Sequence, residues 1–352
     1  MNAQAQHLVK SDVERALSTA LPRLESLAGK HIFLSGATGC LGLWLLEYVK
    51  VLNEDHGFSL QVSALQRNEH DLLTRAPHLA QFEGLSLLSG DVRYLDGIPA
   101  DVTHVIHAAA LSDRRLLASR PVEVAEVNAL GTHRILQAVR LLEDVHNVVL
   151  LSSGLVYGTQ PLDCERITEQ FTGELPSNTV NAVYAESKRF AEAIAVGFAS
   201  ESKIPLSIVR PFAVIGPYQR LDLPWAVTDF IRDSFHGGPI KIMGDGTTVR
   251  SIMYAGDFAS WVLCACAAKL RGETFNVGSP EAIDLLTLAE KITSHFSPQP
   301  DIQLNAGHLG HHPSRLVPEV SHAQNTLGVG FSLNLDQAIT QTLTWNRYIR
   351  SS

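Results

Sequence analysis

The chain has 352 residues, 45% of them hydrophobic and 18% charged, with a formal net charge of -8 at pH 7. That balance suits one large or two fused globular domains, and it argues against a nucleic-acid binder, which shows a basic stripe. No apolar run reaches the roughly 18–20 residues of a membrane span, Met1 to Gln6 lacks the basic start and apolar core of a secretory signal, and Cys40, Cys164, Cys264 and Cys266 read as reduced thiols in a reducing cytosol.

In chain order, Ser11-Asp12-Val13-Glu14 opens a predicted helix over 11–29, with Ser11 as N-cap and Glu14 completing a capping box. Leu17, Leu21 and Leu24 give it one apolar face. Lying ahead of the first strand, it reads as an addition to the core fold. His31–Ser35 reads as a short buried strand running into Gly36-Ala37-Thr38-Gly39-Cys40-Leu41-Gly42, and Leu41 to Val51 as an apolar-rich helix. Strand, glycine loop and helix together give a glycine pattern its meaning. Gly36 permits the tight turn, Gly39 lets a pyrophosphate approach the backbone, and Gly42 lets helix and strand pack closely. Free N–H groups at the helix start then face the phosphates.

Leu60–Gln66 reads as the next strand. An acid commonly ends this strand and holds the adenosine ribose. Here Gln66 and Arg67 stand instead, and Arg67 suits a 2′-phosphate, which leans toward NADP over NAD; a plain surface arginine is the competing reading. Gly84–Leu88 and Val102–His107 read as further strands. Asp91, in Gly90-Asp91-Val92, can lie near an adenine or simply shape a turn. Ala108, Ala109 and Ala110 leave room for a cofactor against the backbone, or serve tight packing.

Val122 to Leu142 predicts one long helix, and Val148–Leu151 a strand ending in Ser152-Ser153-Gly154-Leu155-Val156-Tyr157-Gly158. A helix over 181–202 then carries Tyr184 and Lys188, four apart and so on one face. An unperturbed tyrosine titrates near pH ~10. A fixed ammonium beside it favours the phenolate, so Tyr184 reads as a tunable acid/base for a carbinol. A helix-face or dimer contact is the bland reading of the pair alone. Leu206–Arg210 reads as another strand.

This alternation predicts an α/β protein with a doubly wound parallel (Rossmann) sheet. Ligands bind beyond the carboxyl ends of such strands, where Gly36, Ala108, Ser153 and Pro211 fall. After Arg210, prolines and glycines break the chain into a smaller α/β substrate lobe, with helices near 226–235, 256–269, 283–295 and 335–347. The expected division is a helical extension over 1–29, a dinucleotide domain over 30–212 to which 255–278 returns, and a lobe from 213–254 and 279–352. His308, His311 and His312 cluster in a glycine-rich loop without Cys or carboxylate spacing, so no metal is assigned.

GATGCLG (36–42), GDV (90–92), HAAA (107–110), VNALGT (127–132), LSSGLVYG (151–158), YAESKRFAE (184–192), RPFAVIGP (210–217), GDGTTVRSIMYAGDFA (244–259) and FNVGS (275–279) follow one another in an order that resembles the extended short-chain dehydrogenase/reductases, in the NAD(P)-dependent nucleotide-sugar epimerase/dehydratase branch, over about residues 30–348. The resemblance implies that Tyr184 is the acid/base, that Lys188 holds the nicotinamide ribose and depresses the Tyr184 pKa, and that Ser153 bonds the oxygen being transformed. It implies a cofactor set of Gly36, Thr38, Gly39, Cys40, Leu41, Gly42, Gln66, Arg67, Asp91, Val92, Ala108, Ala109, Ala110, Asn128, Tyr184, Lys188 and Pro211. It implies a substrate set of Ser112, Ser153, Ala213, Arg250 and Arg315. Arg250 matches the arginine that meets the substrate diphosphate, as a bidentate guanidinium can. Arg315 is a candidate for the nucleotide end, and a surface ion pair is the alternative for both. A homodimer through the helices of 122–142 and 181–202 is also implied, with Ala185, Ala191, Ala193 and Ala195 small enough for close packing or for facing the sheet.

Three positions depart from the branch: Ala213 where asparagine is common, Gly256 where an acid is common, and Gln66. Dehydratases of the branch commonly place Asp-Glu just before Val-Tyr-Gly, and decarboxylating relatives place Glu there. Gly154 and Leu155 can do neither proton transfer. The expectation is therefore a nucleotide-sugar 4-epimerase. A 4-ketoreductase is the near alternative, a 4,6-dehydratase a more distant one, and a cofactor-binding regulator without turnover the alternative from another class.

Overall fold

A computed structural model describes residues 2–68, 70–161, 163–305 and 314–351. The His308, His311 and His312 cluster lies outside the described residues. Among those described, seven parallel strands form the central sheet, in the order Glu273–Val277, Leu206–Pro211, Asn147–Leu151, His104–His107, His31–Ser35, Gln61–Gln66 and Leu85–Ser89. The central strands are apolar runs covered on both faces, as Val148 to Leu151 illustrate. The chain starts at His31–Ser35, moves out through Gln61–Gln66 and Leu85–Ser89, then returns to the other side at His104–His107. That reversal is the switch point beside which open parallel sheets hold ligands.

The second lobe is built on Val249–Tyr254, which pairs with Ala213–Ile215, Ala282–Asp284 and Arg315–Leu316. Ile240–Met243 pairs with Ile302–Asn305 beside it. The apolar helix Ala255–Ala267 is buried along its whole length, and Glu273–Val277 then adds the edge strand of the main sheet. Gly256 is small for a packing reason, since a Cβ there would meet the Tyr254 ring at 2.9 Å and Trp44 at 3.2 Å. Trp44 meets Tyr254 and Tyr218 edge-on, with centroids 5.5 and 6.1 Å apart.

Two expectations are corrected. The first helix runs Ala3–Leu24 and is capped by Asn2, whose side chain accepts from Ala5 N. Ser11 is therefore interior. The buried stripe begins at Ala5 and Val9, so the helix needs no start at 11. The long helix after Pro121 is not uniform either. Pro121–Ala125 passes through a π-helical turn, Glu126–Leu130, into Gly131–Val139.

The first helix is anchored by a buried carboxylate. Asp12, 1% exposed, accepts from Arg15 at 2.6 Å, from Gln341 at 2.9 Å and from the Tyr254 hydroxyl. Replacing it by alanine strands a buried phenol and an amide, so Asp12→Ala is expected to cost about 2 kcal/mol. Urea unfolding followed by circular dichroism should show a lower midpoint at unchanged slope.

Candidate active site

The glycine loop is shaped by contacts that exclude side chains. Gly36 has φ +77°, and a Cβ on it would stand 2.7 Å from the Ala108 carbonyl carbon and the Ala109 nitrogen. A Cβ on Gly42 would come within 2.3 Å of the Gly36 oxygen. The loop thus presses on the end of the neighbouring strand and on its own helix. Cys40–His56 begins after Gly39 with no side-chain cap and no acid in its first turn, so its first N–H groups stay available. Gly39 is exposed, Thr38, Cys40 and Leu41 are half-buried, and Gly42 is buried.

A directional hydrogen-bond chain ties the loop to the next strand end. Ala109 N donates to Ser35 Oγ, Ser35 Oγ to His107 Nδ1 at 2.6 Å, His107 Nε2 to Thr132 Oγ1 at 3.0 Å, and Thr132 to the Asn128 carbonyl at 2.7 Å. The His107 tautomer follows from these partners. Burial, and then the Lys188 charge, push its pKa to about 3, so the ring is neutral. Asn128 sits in the π-helical turn with no exposed surface. It accepts from Leu111 N at 3.2 Å and donates to Ser187 Oγ at 3.1 Å, and Ser187 donates to the Tyr184 carbonyl at 2.7 Å. Asn128, expected in the cofactor set, thus links the segment after the strand His104–His107 to the tyrosine helix through the two ends of its amide.

Tyr184 and Lys188 lie on Val183–Ser202, and Ser153 follows Asn147–Leu151. Ser153 caps the turn Gly154–Tyr157, accepting from Leu155 N at 3.1 Å. Its hydroxyl also lies close enough to the Tyr184 phenol to favour the phenolate. Burial outweighs this and raises the phenol above its ordinary value. The expected depression by Lys188 is not found. Lys188 Nζ instead donates to the Leu151 carbonyl at 2.8 Å, and burial lowers its pKa to about 8. Serine, tyrosine and lysine do converge at one strand end.

At the far end of the crevice, Gln66 is buried with its Oε1 unpartnered among the described residues. Arg67 is exposed. Asp91 caps the turn Val92–Tyr94 and grips the Arg93 guanidinium at 2.8 Å. Arg93 foremost, with a small part from Arg67, holds the Asp91 carboxyl below the usual carboxylate range. Val92 is core, packed where a Cβ on Gly131 would meet it at 2.7 Å. Ala108, Ala109 and Ala110 are half-buried along the crevice.

On the substrate side, Ser112 and Ala213 are exposed, and Pro211 is half-buried at its strand end. Arg250 donates to the Val249 and Ser314 carbonyls at 2.8 and 3.1 Å and to Ser314 Oγ at 3.0 Å. Arg315 is turned to the Glu165 carbonyl at 3.0 Å. Sequence reasoning missed Arg75, which donates to the Thr38 carbonyl and, at 2.6 Å, to the Tyr218 carbonyl. With Trp44 Nε1 bonded to the Pro217 carbonyl at 3.1 Å, it fastens the glycine loop to the second lobe. No motif announces an arginine on the helix His70–Arg75.

The close-packed glycine turn, the uncapped helix start and the unpaired Gln66 oxygen fit a dinucleotide. The family model for the NAD dependent epimerase/dehydratase family matches residues 32–278. The chain belongs to this family. It is thus an NAD-dependent enzyme of the short-chain dehydrogenase/reductase type. Among curated proteins, it is 26% identical over 255 residues to a UDP-N-acetyl-alpha-D-glucosaminuronate decarboxylase of Bacillus cytotoxicus, covering 70% of this chain and 77% of the relative. It is 24% identical over 298 residues to UDP-glucuronic acid decarboxylase 6 of Arabidopsis thaliana, covering 85% and 83%. Its fold matches a UDP-N-acetylglucosamine 4-epimerase from Methanobrevibacter ruminantium M1, solved with UDP-N-acetylmuramic acid, at TM-score 0.79 and 20% identity, covering 92% of this chain and 99% of that one. It also matches a UDP-glucuronic acid 4-epimerase from Bacillus cereus, solved with a fluorinated substrate analogue and NAD, at TM-score 0.77 and 20% identity, covering 91% and 99%.

Lys188 carries a stability cost whose sign follows from its lowered pKa. Below about pH 8 both folded and unfolded lysine are charged, and the burial penalty is fully present. Between about 8 and the ordinary 10.5 the unfolded chain binds the extra proton, so stability rises with pH. Lys188→Met is therefore expected to stabilise the ligand-free protein at pH 7 by about 2 kcal/mol, after subtracting the lost hydrogen bond. Thermal melts from pH 7 to 10.5 should show that advantage shrinking as pH rises.

Proposed function

We propose that the protein is a nucleotide-sugar 4-epimerase that oxidises and re-reduces one ring carbon with its dinucleotide retained. When bound, the nicotinamide would supply reversible hydride chemistry at the carbinol carbon. Tyr184, in the phenolate form that Ser153 favours and burial opposes, would take the hydroxyl proton and give it back to the keto oxygen, while Ser153 bonds the same oxygen. Lys188, fixed by the Leu151 carbonyl, supplies a positive charge beneath the nicotinamide ribose.

The observation carrying this choice over decarboxylation or dehydration is the turn after Ser153. Leu155 occupies the position of the relatives' acid and is 42% exposed. Gly154 leaves little room for an acid, because a Cβ there would meet the Phe212 ring at 3.0 Å. Neither residue can move the proton that elimination requires. One observation favours the 4-ketoreductase as second reading: exposed Arg67 near Asp91 suits the 2′-phosphate of NADP, the cofactor that a reductase would have to exchange. A regulator without turnover has no use for the Ser153, Tyr184 and Lys188 set.

The four cysteines are free, in keeping with a reducing cytosol, and no helix among the described residues is long and apolar enough to cross a membrane. A homodimer is supported by Phe190, Val196 and Leu130, exposed on the tyrosine helix and the π-helical turn, with Ala193 between the first two. Ala185, Ala191 and Ala195 instead face inward.

UDP-, dTDP-, GDP- and CDP-sugars should be assayed with and without added NAD(P)H. The 4-epimer formed without net cofactor consumption supports the proposal; stoichiometric NADPH loss supports the reductase; tight cofactor binding with no turnover supports the regulator. Tyr184→Phe is expected to lower kcat by at least about 100-fold with dinucleotide affinity retained. Phe190→Glu should shift the light-scattering mass from dimer to monomer; an unchanged mass rejects this interface.

A further inference from the structure

The glycine turn is tied to the second lobe by a hydrogen-bond network that the family roles leave out. The helix Cys40–His56 carries Cys40, Trp44 and Glu47 at helical spacing, on one face. All three meet segment 216–218, which continues from the lobe strand Ala213–Ile215. Cys40 Sγ and Trp44 Nε1 donate to the Pro217 carbonyl at 3.6 and 3.1 Å. Glu47 Oε1 accepts from the Tyr218 hydroxyl, and from His78 Nε2 at 2.7 Å. Tyr218 takes φ +68°, a left-handed backbone that persists in a tyrosine only where its surroundings fix it.

Arg75 joins this network to the turn itself. It ends the helix His70–Arg75, and its two terminal nitrogens serve different segments. Nη1 donates to the Thr38 carbonyl, and Nη2 to the Tyr218 carbonyl at 2.6 Å. The peptide between Thr38 and Gly39 is then held at both ends, because Gly39 N donates to the Gly36 carbonyl at 3.1 Å. From this fixed peptide follow the N–H groups of Cys40, Leu41 and Gly42, which a helix start leaves without acceptors in the helix. A turn already held in its binding shape loses less freedom when a ligand arrives, and so holds it more tightly.

We propose that Arg75 is a positioning residue for the dinucleotide: by spanning two carbonyls it braces the turn assigned to the phosphates against the second lobe, and so slows cofactor loss. The role needs a planar guanidinium, whose separate nitrogens reach both acceptors at once, whereas an ammonium offers a single nitrogen. The brace acts on the dinucleotide site, whichever sugar reaction follows.

The test loads the protein with NADH, or with NADPH if that binds tighter, and follows the loss of bound-cofactor fluorescence when an excess of the oxidised form is mixed in. Arg75→Gln is expected to release the reduced cofactor about tenfold faster than the parent, and Arg75→Lys nearly as fast. Competition against the reduced cofactor should show ADP-ribose weakened by a similar factor in both variants. Adenosine, which carries no phosphate, should bind each variant as it binds the parent, and that equality reports an intact fold. If Arg75→Gln releases cofactor at the parental rate, if Arg75→Lys restores that rate, or if adenosine weakens as much as ADP-ribose, the proposal fails and the proposed function stands. A parent protein that binds neither NADH nor NADPH overturns both.

Discussion

The crevice depends on how closely one backbone turn runs against another. Gly36 lies where a Cβ would overlap the Ala108 and Ala109 backbone, and Gly42 where one would overlap Gly36. Because nothing projects there, the ends of two adjacent strands meet at contact distance. That contact lets Ser35 reach His107, and His107 reach Thr132 on the flanking helix. Through Asn128 and Ser187 the chain arrives at the backbone of Tyr184. The glycine loop and the backbone that carries the Tyr184 phenol are thus set by one connected network.

The site is assembled at a cost to the fold. Lys188 is buried and only one carbonyl receives its ammonium. One turn on, Glu192 pairs bidentately with Arg210 at 2.7 and 2.9 Å, and Arg210 also donates to the Tyr157 hydroxyl at 2.8 Å. Buried ion pairs of this kind contribute little net stability, because desolvation offsets the attraction. Their negative charge nevertheless favours the charged form of Lys188. The ammonium therefore persists at neutral pH in surroundings that oppose it.

Sequence periodicity and turn chemistry made much of this legible. The strands ending at Ser35, Gln66, His107, Leu151 and Pro211 are short apolar runs followed by small or polar residues, and that pattern survives without tertiary information. Ser153 beside Tyr184 was likewise readable from family motifs. What stayed hidden is long-range. Whether Lys188 acts on the phenol depends on which carbonyl its amine reaches, and no spacing encodes that. Arg75 sits on a short helix without a motif, and its meaning arises only where other segments of the chain meet it. The start of the first helix was misplaced because Ser11-Asp12-Val13-Glu14 mimics a cap, whereas Asp12 is turned inward to Tyr254.

The turn Glu126–Leu130 holds one more residue than an α-helical turn would. Each residue added to or removed from a helix rotates everything beyond it by about 100°. Deleting Ala129 would restore a regular spiral, yet swing Thr132 away from the imidazole it bonds and turn Ile135 and Leu136 out of the core. The irregularity therefore acts as a phase-setter: it lets a single rod present Asn128 to the helix Val183–Ser202 and Thr132 to the sheet, two directions that a uniform winding does not supply together.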